Sequence, residues 1–335
     1  MQQGHTVLVE HGAGEDTGYP DADYEQAGAK LIDDHEALFA EGDLVVKVKE
    51  PLPEEYSLLR PGQVLFTYFH LAADRELTEA VCRSGVTALA YETIEVNSRL
   101  PLLEPMSEIA GRMSMLVGVA GVLPGRVMVL VGGVAGVNAA RMATGLNADV
   151  TILEVDVERM RFLDITLHTA HTLYSSEAHI LEQLPRVDLL IGAVLVPGAK
   201  APKLISHDML RCMRPGSVLV DIAIDQGGYA ETSRPTNHHD PVFVEESVTH
   251  YSVANMPAAY SRTVTQALTN VTHRYVEMLA NHGLAGACAL ALELVGGHQH
   301  PQRPTDLPSR WPSAWPRVAG AQAVNRARLK VAQAS

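Results

Sequence analysis

The sequence predicts an α/β protein of two domains, and three observations lead to this fold class. Strand-like and helix-like segments alternate twice along the chain, which is the pattern of a parallel sheet covered by helices. A glycine-rich turn joins a strand to a helix within the second alternation. The chain is also 335 residues long, which exceeds one ordinary core and suits about two domains.

Composition and charge narrow the possible functions. Apolar residues make up 47% of the chain and charged residues 19%, which is typical of a globular protein. The formal net charge of −13 argues against a nucleic-acid partner, because no basic stripe is present to neutralise phosphates. Cys82, Cys212 and Cys288 are odd in number and far apart, so we expect no disulfide framework and a reducing, cytoplasmic location.

The apolar stretches predict neither a leader nor a membrane span. The opening Met1-Gln2-Gln3-Gly4-His5 lacks the basic region and apolar run of a secretory signal. Met113–Val137 is apolar almost throughout, but Pro124-Gly125-Arg126 interrupts it, and neither half is long enough to cross a bilayer. We therefore expect a buried element, a turn and a buried strand there, and no membrane partner.

The first alternation covers the N-terminal part of the chain. The predicted strands are Thr6–Glu10, Asp43–Val48, Gln63–Phe69 and Thr87–Tyr91. The predicted helices are Asp21–Leu31, with Asp21 as its N-cap, and Ala72–Ser84. Three of the strands run into polar side chains, namely Lys49, His70 and Glu92. Alternating strands and helices of this kind indicate a parallel sheet.

The second alternation contains a dinucleotide-binding pattern of the Rossmann type. Val127–Val131 is a predicted strand, Gly132–Gly136 a tight turn, Val137–Leu146 a helix, and Val150–Leu153 a strand that ends at Glu154. The glycines let the backbone approach a pyrophosphate, and the helix N-terminus offers free N–H groups and a positive dipole end. An acid in the position of Glu154 suits a ribose hydroxyl.

Two further apolar strands extend this sheet. Val187–Ile191 runs into Ala193–Gly198, and Ser217–Ile224 runs into Asp225–Gly228. Ligands of open parallel sheets bind beyond the carboxyl ends of the strands, so both loops are candidate ligand contacts. Thr263–Leu279 carries apolar residues at helical spacing and is predicted to be a packed helix. From Gly296 onward prolines and histidines replace any apolar period, and we expect an irregular tail.

Several longer motifs carry a resemblance to a known family. They are LVVKVKEP at Leu44–Pro51, LFTYFHLAA at Leu65–Ala73, AYET at Ala90–Thr93, PMSEIAGR at Pro105–Arg112, VLVPGAKAPKL at Val194–Leu204, VDIAIDQGG at Val220–Gly228, VANMPA at Val253–Ala258 and ALTN at Ala267–Asn270. With these motifs the chain resembles the alanine dehydrogenases, which share their fold with transhydrogenase nucleotide subunits. The resemblance implies reversible oxidative deamination of L-alanine to pyruvate and ammonia, with NAD as cofactor and a homohexamer as the assembly.

The resemblance also implies roles for individual residues. Lys49 would bind the substrate carboxylate or keto oxygen, His70 would exchange a proton with the substrate oxygen, and Asp225 would polarise the amine centre and the attacking water. Histidine suits proton transfer near neutral pH, and a fixed ammonium stabilises negative charge. Taken alone, the lysine and the histidine would more often be ordinary strand-end residues and the aspartate a turn cap, and the accompanying motifs favour the site.

A larger set of residues is predicted to contact the cofactor. Its members are Ser107, Gly133, Val134, Ala135, Gly136, Glu154, Arg159, Ser175, Val194, Leu195, Ile222, Ala223, Ile224, Asp225, Arg234, Val253, Ala254, Asn255 and Met256. Glutamate at position 154 favours NAD over NADP, because its charge would repel a 2′-phosphate. The implied domains are a discontinuous substrate domain, residues 1–104 and 263–295, and an NAD-binding domain, residues 105–262, followed by the irregular tail 296–335.

Four departures from the family leave an alternative open. We expect the chain to lack the family's opening strand and helix, which carry an arginine that clamps the substrate carboxylate. Val131 replaces the first glycine of the nucleotide turn, Met113–Leu123 is shorter than the family's interdomain helix and loop, and the tail differs. Together these predict either an alanine dehydrogenase or a non-catalytic, degenerate NAD-binding homologue.

The histidines also raise the question of a metal. His168 and His171 lie near each other on a predicted helix, but two histidines alone do not make a metal site, and His238-His239-Asp240 is predicted to be a polar loop. Glu92 and His282 match positions where some members of the resembled family hold magnesium. We predict no metal site in this chain.

Overall fold

The computed structural model describes residues 3–118, 125–299 and 328–331. The chain divides into two compact units: the first contains Met1–Leu102 and Thr269–Ser335, and the second contains Leu103–Leu268. Each unit is built around its own mostly parallel sheet flanked by helices. Within the described residues no helix is both long enough and apolar enough to span a membrane.

The N-terminal part of the first unit alternates strands with short helices. Its elements are β1 (Thr6–Glu10), α1 (Asp21–Gln26), β2 (Lys30–Ile32), α2 (His35–Glu41), β3 (Leu44–Val46), β4 (Val64–Thr67), α3 (Arg75–Ser84) and β5 (Thr87–Ala90). Local capping sets the bounds of α3: Asp74 accepts the Leu77 amide at 3.0 Å, and Gly85 ends the helix with a φ of 68°.

The second unit follows with longer strands. Its elements are α4 (Glu104–Gly118), β6 (Arg126–Leu130), α5 (Val134–Gly145), β7 (Asp149–Glu154), α6 (Val157–Thr166), β8 (Ala170–Tyr174), α7 (Glu177–Gln183), β9 (Leu189–Gly192), α8 (His207–Arg211), β10 (Val218–Asp221), β11 (Val242–Glu245) and β12 (Val248–Tyr251). Apolar side chains fill both faces of this sheet, as expected when helices cover a parallel sheet on each side.

The remaining elements return the chain to the first unit. They are α9 (Ser261–Leu290), α10 (Glu293–Gly297), β13 (His298–Gln299) and β14 (Arg328–Val331). The helix α9 crosses the division between the units at Leu268 and Thr269, and Gly283 interrupts its helical backbone with φ 62° and ψ 178°. A non-helical conformation of this kind is one that glycine adopts readily.

The two sheets have seven described strands each. The order in the first unit is β13-β5-β4-β3-β14-β1-β2, with β13 antiparallel to β5 and the other pairs parallel. The order in the second unit is β11-β12-β10-β9-β6-β7-β8, with only β11 antiparallel among the described strands. The strand β14 therefore lies inside the first sheet, between β3 and β1.

The predicted tail is only partly described. We expected residues 296–335 to be irregular, but α10 and β13 extend through Gln299, and β14 pairs in parallel with both β1 and β3. This expectation was wrong for Arg328–Val331, since the facing edges of β1 and β3 offer backbone groups that a strand between them satisfies. Residues 300–327 and 332–335 lie outside the described residues, as do 119–123 of the predicted Met113–Leu123 segment and the following residue 124.

Three predicted elements differ in detail. The helix predicted over Asp21–Leu31 ends at Gln26, because Gly28 has a φ of 92°, and the chain continues as β2. The N-cap of that helix is Pro20 rather than Asp21. The tight turn predicted over Gly132–Gly136 is shorter, since α5 already begins at Val134. The helix predicted around His168 and His171 is also absent there: α6 ends at Thr166, and His171 belongs to β8.

Candidate functional site

Most of the predicted cofactor residues follow the parallel strands of the second unit. The strands β6, β7, β9, β10 and β12 are parallel, so their carboxyl ends share one edge of the sheet. The predicted residues at or directly after these ends are Gly133, Val134, Ala135 and Gly136 after β6, Glu154 at the end of β7, Val194 and Leu195 after β9, Ile222, Ala223, Ile224 and Asp225 after β10, and Val253, Ala254, Asn255 and Met256 after β12. The fold thus gathers them along one rim.

The glycine turn between β6 and α5 has the form that a pyrophosphate requires. Gly133 is the N-cap of α5, and a Cβ added to it would meet no atom within 4 Å, so its backbone is open to a ligand. A Cβ on Gly136 would overlap the carbonyl oxygen of Val131, which explains the glycine there. Val131 itself has a φ of 71°, a left-handed conformation that is costly for a β-branched residue.

Glu154 is tied to the same turn. Its side chain is buried, with Oε2 accepting the Gly132 amide at 2.9 Å and Oε1 accepting the Val155 and Asp156 amides at 2.8 and 3.1 Å. A carboxylate offers about four acceptor sites, so one remains for a ribose hydroxyl after these three bonds. Arg159 of α6 reinforces the turn by donating from Nε to the Gly132 carbonyl at 2.6 Å.

Two predicted residues lie on neighbouring elements. Ser107 is on α4, the helix that packs so closely on α5 that a Cβ on Gly111 would overlap the carbonyl oxygen of Ala135. Ser175 follows β8 and donates its amide to the Glu154 carbonyl at 2.9 Å. Ser107 thus lies on the helix that packs against α5, and Ser175 is hydrogen-bonded to the end of β7.

A buried aspartate organises the loop after β10. Asp221 is fully buried and accepts the amides of Ala223 and Tyr229 at 2.9 and 3.0 Å, together with the Ser233 hydroxyl. Burial raises the pKa of the Asp221 carboxyl to about 6, although these hydrogen bonds act to lower it. The loop that it fixes contains Asp225.

Asp225 in turn contacts the loop after β12. Its Oδ2 accepts the Asn255 amide at 3.4 Å, and Asn255 has a left-handed φ of 56°. Arg234 is exposed, and its guanidinium stacks on the Phe243 ring at 4.1 Å, beside the antiparallel strand β11. Asp225 and Asn255 are thus joined directly, whereas Arg234 contacts the edge strand.

The first unit assembles a second set of polar side chains at the carboxyl ends of β3, β4 and β5. These strands are parallel neighbours, and Lys49, His70 and Glu92 follow them in that order. The hydroxyl of Thr67 donates to the Lys49 carbonyl at 2.8 Å, and the Tyr68 amide donates to the Val48 carbonyl at 3.3 Å. The backbone that carries the lysine is therefore fastened to β4.

His70 is held on both its backbone and its ring. The backbone has a left-handed φ of 52°, and its amide donates to Glu92 Oε1 at 2.8 Å, as does the Phe69 amide at 3.1 Å. The ring nitrogen Nδ1 lies 3.3 Å from Glu50 Oε2, and Lys49 Nζ lies 3.9 Å from that same oxygen. One carboxylate thus joins the lysine and the histidine.

The sequence reasoning left Glu50 and Lys47 without a role. Lys47 is buried and pairs with the buried Glu55, which also accepts the Leu52 amide at 2.7 Å. This pair closes the loop that carries Lys49 and Glu50. The sequence signal for both residues is the run of charged residues at the end of an apolar strand. Lys47 is buried, whereas Lys49 and Glu50 are partly exposed.

Two models of known protein families match this chain. The family models "Alanine dehydrogenase/PNT, N-terminal domain" and "Alanine dehydrogenase/PNT, C-terminal domain" match residues 1–110 and 105–298. The chain belongs to the alanine dehydrogenase/PNT family. This confirms the predicted resemblance and the predicted α/β fold class.

Individual relatives agree with this membership. The alanine dehydrogenase of Bacillus subtilis is 49% identical over 308 residues, covering 86% of this chain and 81% of the relative. That of Halomonas elongata is 51% identical over 306 residues, covering 86% and 82%. A solved L-alanine dehydrogenase matches with a TM-score of 0.78 and 47% identity, covering 89% of this chain and 87% of that chain. A transhydrogenase from Sinorhizobium meliloti, 24% identical with a TM-score of 0.72 over 90% of each chain, shows the shared fold.

Proposed function

We propose that this chain is an NAD-dependent alanine dehydrogenase, which interconverts L-alanine with pyruvate and ammonia. The observation that carries the proposal is the joining of Lys49 and His70 through one carboxylate oxygen, at the carboxyl ends of parallel strands, in a member of this family. A cation and a histidine so placed can bind a keto acid and exchange a proton with it.

The second unit fits the cofactor. Gly133 leaves the backbone open, the N-terminal amides of the 12-residue α5 can face a pyrophosphate, and Glu154 keeps an acceptor for a ribose hydroxyl. The buried negative charge of Glu154 disfavours a 2′-phosphate, so NAD is favoured over NADP. When bound, NAD supplies the hydride acceptor for the Cα of alanine.

In the first unit, Lys49 and His70 would divide the work on the substrate. The ammonium of Lys49 binds the carboxylate or the keto oxygen, where it stabilises negative charge without reorganising. His70 gives a proton to the substrate oxygen when water leaves the carbinolamine, and takes one when water adds to the imine. Both side chains contact Glu50, which therefore helps to set their separation.

In the second unit, Asp225 would serve the nitrogen. Its carboxylate stabilises the positive charge of the iminium and orients the water that attacks it. The buried Asp221 supports this role by fixing the loop, and the Asn255 amide holds one Asp225 oxygen. Asp225 thus acts through charge, and His70 through proton transfer.

A turnover assay with a matched variant tests this function. The purified chain should consume NADH with pyruvate and ammonia, and reduce NAD with L-alanine. Lys49→Met should lower kcat/KM by about 10²–10⁴-fold, the scale of a lost charge contact in the transition state, while NADH binding changes less than about twofold. Retained NADH binding without turnover by the wild-type chain would instead support the non-catalytic homologue.

We also propose a cytoplasmic homohexamer. Family membership supports the assembly, and the three cysteines Cys82, Cys212 and Cys288 are all free, as suits a reducing compartment. Light scattering on the purified chain should give about six times the 36.2 kDa chain mass. A monomeric mass at working concentration would contradict the assembly.

A further inference from the structure

Glu50 joins Lys49 and His70, but the proposed mechanism gives it no influence on which ring nitrogen of His70 carries the proton. It follows Lys49 directly, and its Oε2 lies 3.3 Å from His70 Nδ1 and 3.9 Å from Lys49 Nζ. It lies within the loop that the Lys47–Glu55 pair closes, and the Thr67 hydroxyl holds the Lys49 carbonyl just before it, so its backbone is anchored on both sides. The carboxylate is therefore held against one edge of the imidazole ring.

A carboxylate at Nδ1 decides which nitrogen of the ring carries the proton. An ionised carboxylate only accepts hydrogen bonds, so Nδ1 must be the donor, and in the neutral ring Nε2 is left as the basic nitrogen. We propose that Glu50 is a positioning residue that fixes the tautomer and orientation of His70, so that Nε2 is the atom that exchanges protons with the substrate. This inference rests on the proposed function for the role of His70, but the tautomer itself does not.

The backbone and the ring of His70 contact different residues. The Glu92 carboxylate accepts the His70 amide at 2.8 Å and holds the residue in its left-handed conformation, φ 52°. The Tyr68 ring stacks nearly parallel to the imidazole, with centroids 6.0 Å apart and planes 18° apart. Glu92 thus holds the backbone, Tyr68 flanks the ring plane, and Glu50 contacts the Nδ1 edge of the ring.

The charges around the imidazole ring of His70 keep the Glu50 carboxylate ionised. Among the described residues, the groups near His70 include Glu50 at the ring, Glu92 at the backbone, Lys49 beyond Glu50, and the buried Tyr68. Burial alone would raise the pKa of the Glu50 carboxyl, but the hydrogen bond from His70 and the charge of Lys49 lower it to about 2. Glu50 therefore remains an acceptor at any pH where the enzyme works.

Three substitutions separate this role from simple packing. Glu50→Gln keeps the shape but can either accept from or donate to Nδ1, so it loses the choice of tautomer. Glu50→Leu removes the partner altogether, and Glu50→Asp keeps the charge. The matched control is Glu54→Gln, which neutralises an exposed carboxylate four residues later.

We expect Glu50→Gln to lower kcat about tenfold or more, as when an orienting partner of a functional histidine is lost, and Glu50→Leu to lower it further. The acidic limb of the kcat/KM profile should move to lower pH, because an anion beside the imidazolium is gone. Glu50→Asp should recover part of kcat, and Glu54→Gln should match the wild type. Unchanged kcat and pH profile in both Glu50→Gln and Glu50→Leu would overturn the proposal.

A measurement without turnover keeps the two proposals distinguishable. Nitrogen-15 NMR of the histidine rings, with His70 assigned by its loss in His70→Gln, should show Nδ1–H in the neutral wild-type ring and a mixture of tautomers in Glu50→Gln. An Nε2–H ring in the wild type would refute the positioning role even in an active enzyme. An inactive wild type with the expected Nδ1–H ring would instead count against the proposed function alone.

Discussion

The two units differ in which parts of the chain supply the strands of their sheets. The second unit takes its seven described strands from one continuous stretch between Arg126 and Tyr251, whereas the first unit takes two of its seven, β13 and β14, from the C-terminal end. One of those two, β14, lies directly beside β3, the strand that leads into Lys49. The residues proposed to bind the nucleotide therefore lie on strands that are close in sequence, whereas those proposed to bind the substrate lie beside a strand that is far away in sequence.

The two candidate sites nevertheless use the same local device. In each unit a residue after a parallel strand takes a left-handed conformation, His70 with φ 52° in the first and Val131 with φ 71° in the second. A buried carboxylate accepts a backbone amide at each strained position: Glu92 accepts that of His70 itself, and Glu154 accepts that of Gly132, which follows Val131. Hydrogen bonds that backbone N–H groups donate to a carboxylate thus offset part of the conformational cost at both positions.

Removal of β14 should have the largest effect, and the two units should respond to it differently. A chain that ends at residue 327 leaves β1 and β3 without their shared neighbour, and unpaired backbone groups in a sheet interior are costly. We expect the first unit to lose more than about 4 kcal/mol of stability, and turnover with it. NADH binding by the second unit should change less than about twofold, as measured by fluorescence titration.

A shorter truncation controls for length. A chain that ends at residue 331 keeps β14 and should retain turnover and thermal stability. Equal turnover in the chains ending at 327 and 331 would show that β1 and β3 do not need this strand.

The next largest effect should be a pH dependence of the stability of the second unit, which contains Asp221. Its carboxyl pKa is raised from 3.8 to about 6 by burial, so the folded state binds the proton more tightly than the unfolded state. The stability from this proton is fully present below about pH 3.8 and is lost as the pH rises through about 6. The total change is about 3 kcal/mol.

Urea unfolding between pH 4 and pH 7 measures this slope. Asp221→Asn should lower stability at every pH, because one oxygen cannot replace two, yet it should lack the wild-type decline over this range. Asp188→Asn on an exposed carboxylate of the same unit is the control and should keep the decline. A wild type and an Asp221→Asn variant with parallel pH profiles would contradict the assignment.

The sequence predicted the elements whose patterns lie within a short stretch of residues. It did not predict the features that depend on pairing with residues far away in sequence. The strand–glycine–helix–strand unit around Gly133 was predicted because its turn chemistry and apolar pattern agree over a short stretch. The strand β14 was missed, since four residues carry no periodicity, and only the gap between β1 and β3 makes them a strand. Glu50 was missed as a partner of His70 for the same reason, because the two meet across neighbouring strands.

Substitutions at Val131 should have the smallest effect, and they test the strain in the second unit. Val131→Gly relieves the left-handed φ of 71°, at about 1–3 kcal/mol, but it loses half-buried side-chain packing of about 1 kcal/mol and adds about 0.4–1 kcal/mol of unfolded-state entropy. These contributions nearly cancel, so the free energy of unfolding should stay within about 1 kcal/mol of the wild type. Val131→Ala loses the packing and keeps the strain.

The difference between the two variants isolates the backbone conformation. We expect Val131→Gly to be more stable than Val131→Ala by about 1 kcal/mol, because glycine alone adopts this φ without a Cβ clash. Val131→Gly should also bind NADH at least as tightly as the wild type, since the turn keeps Gly133 and Gly136. If Val131→Ala proves as stable as Val131→Gly, then Val131 is not strained in solution. The turn after β6 would then differ from the loop after β4, where His70 has the same left-handed conformation.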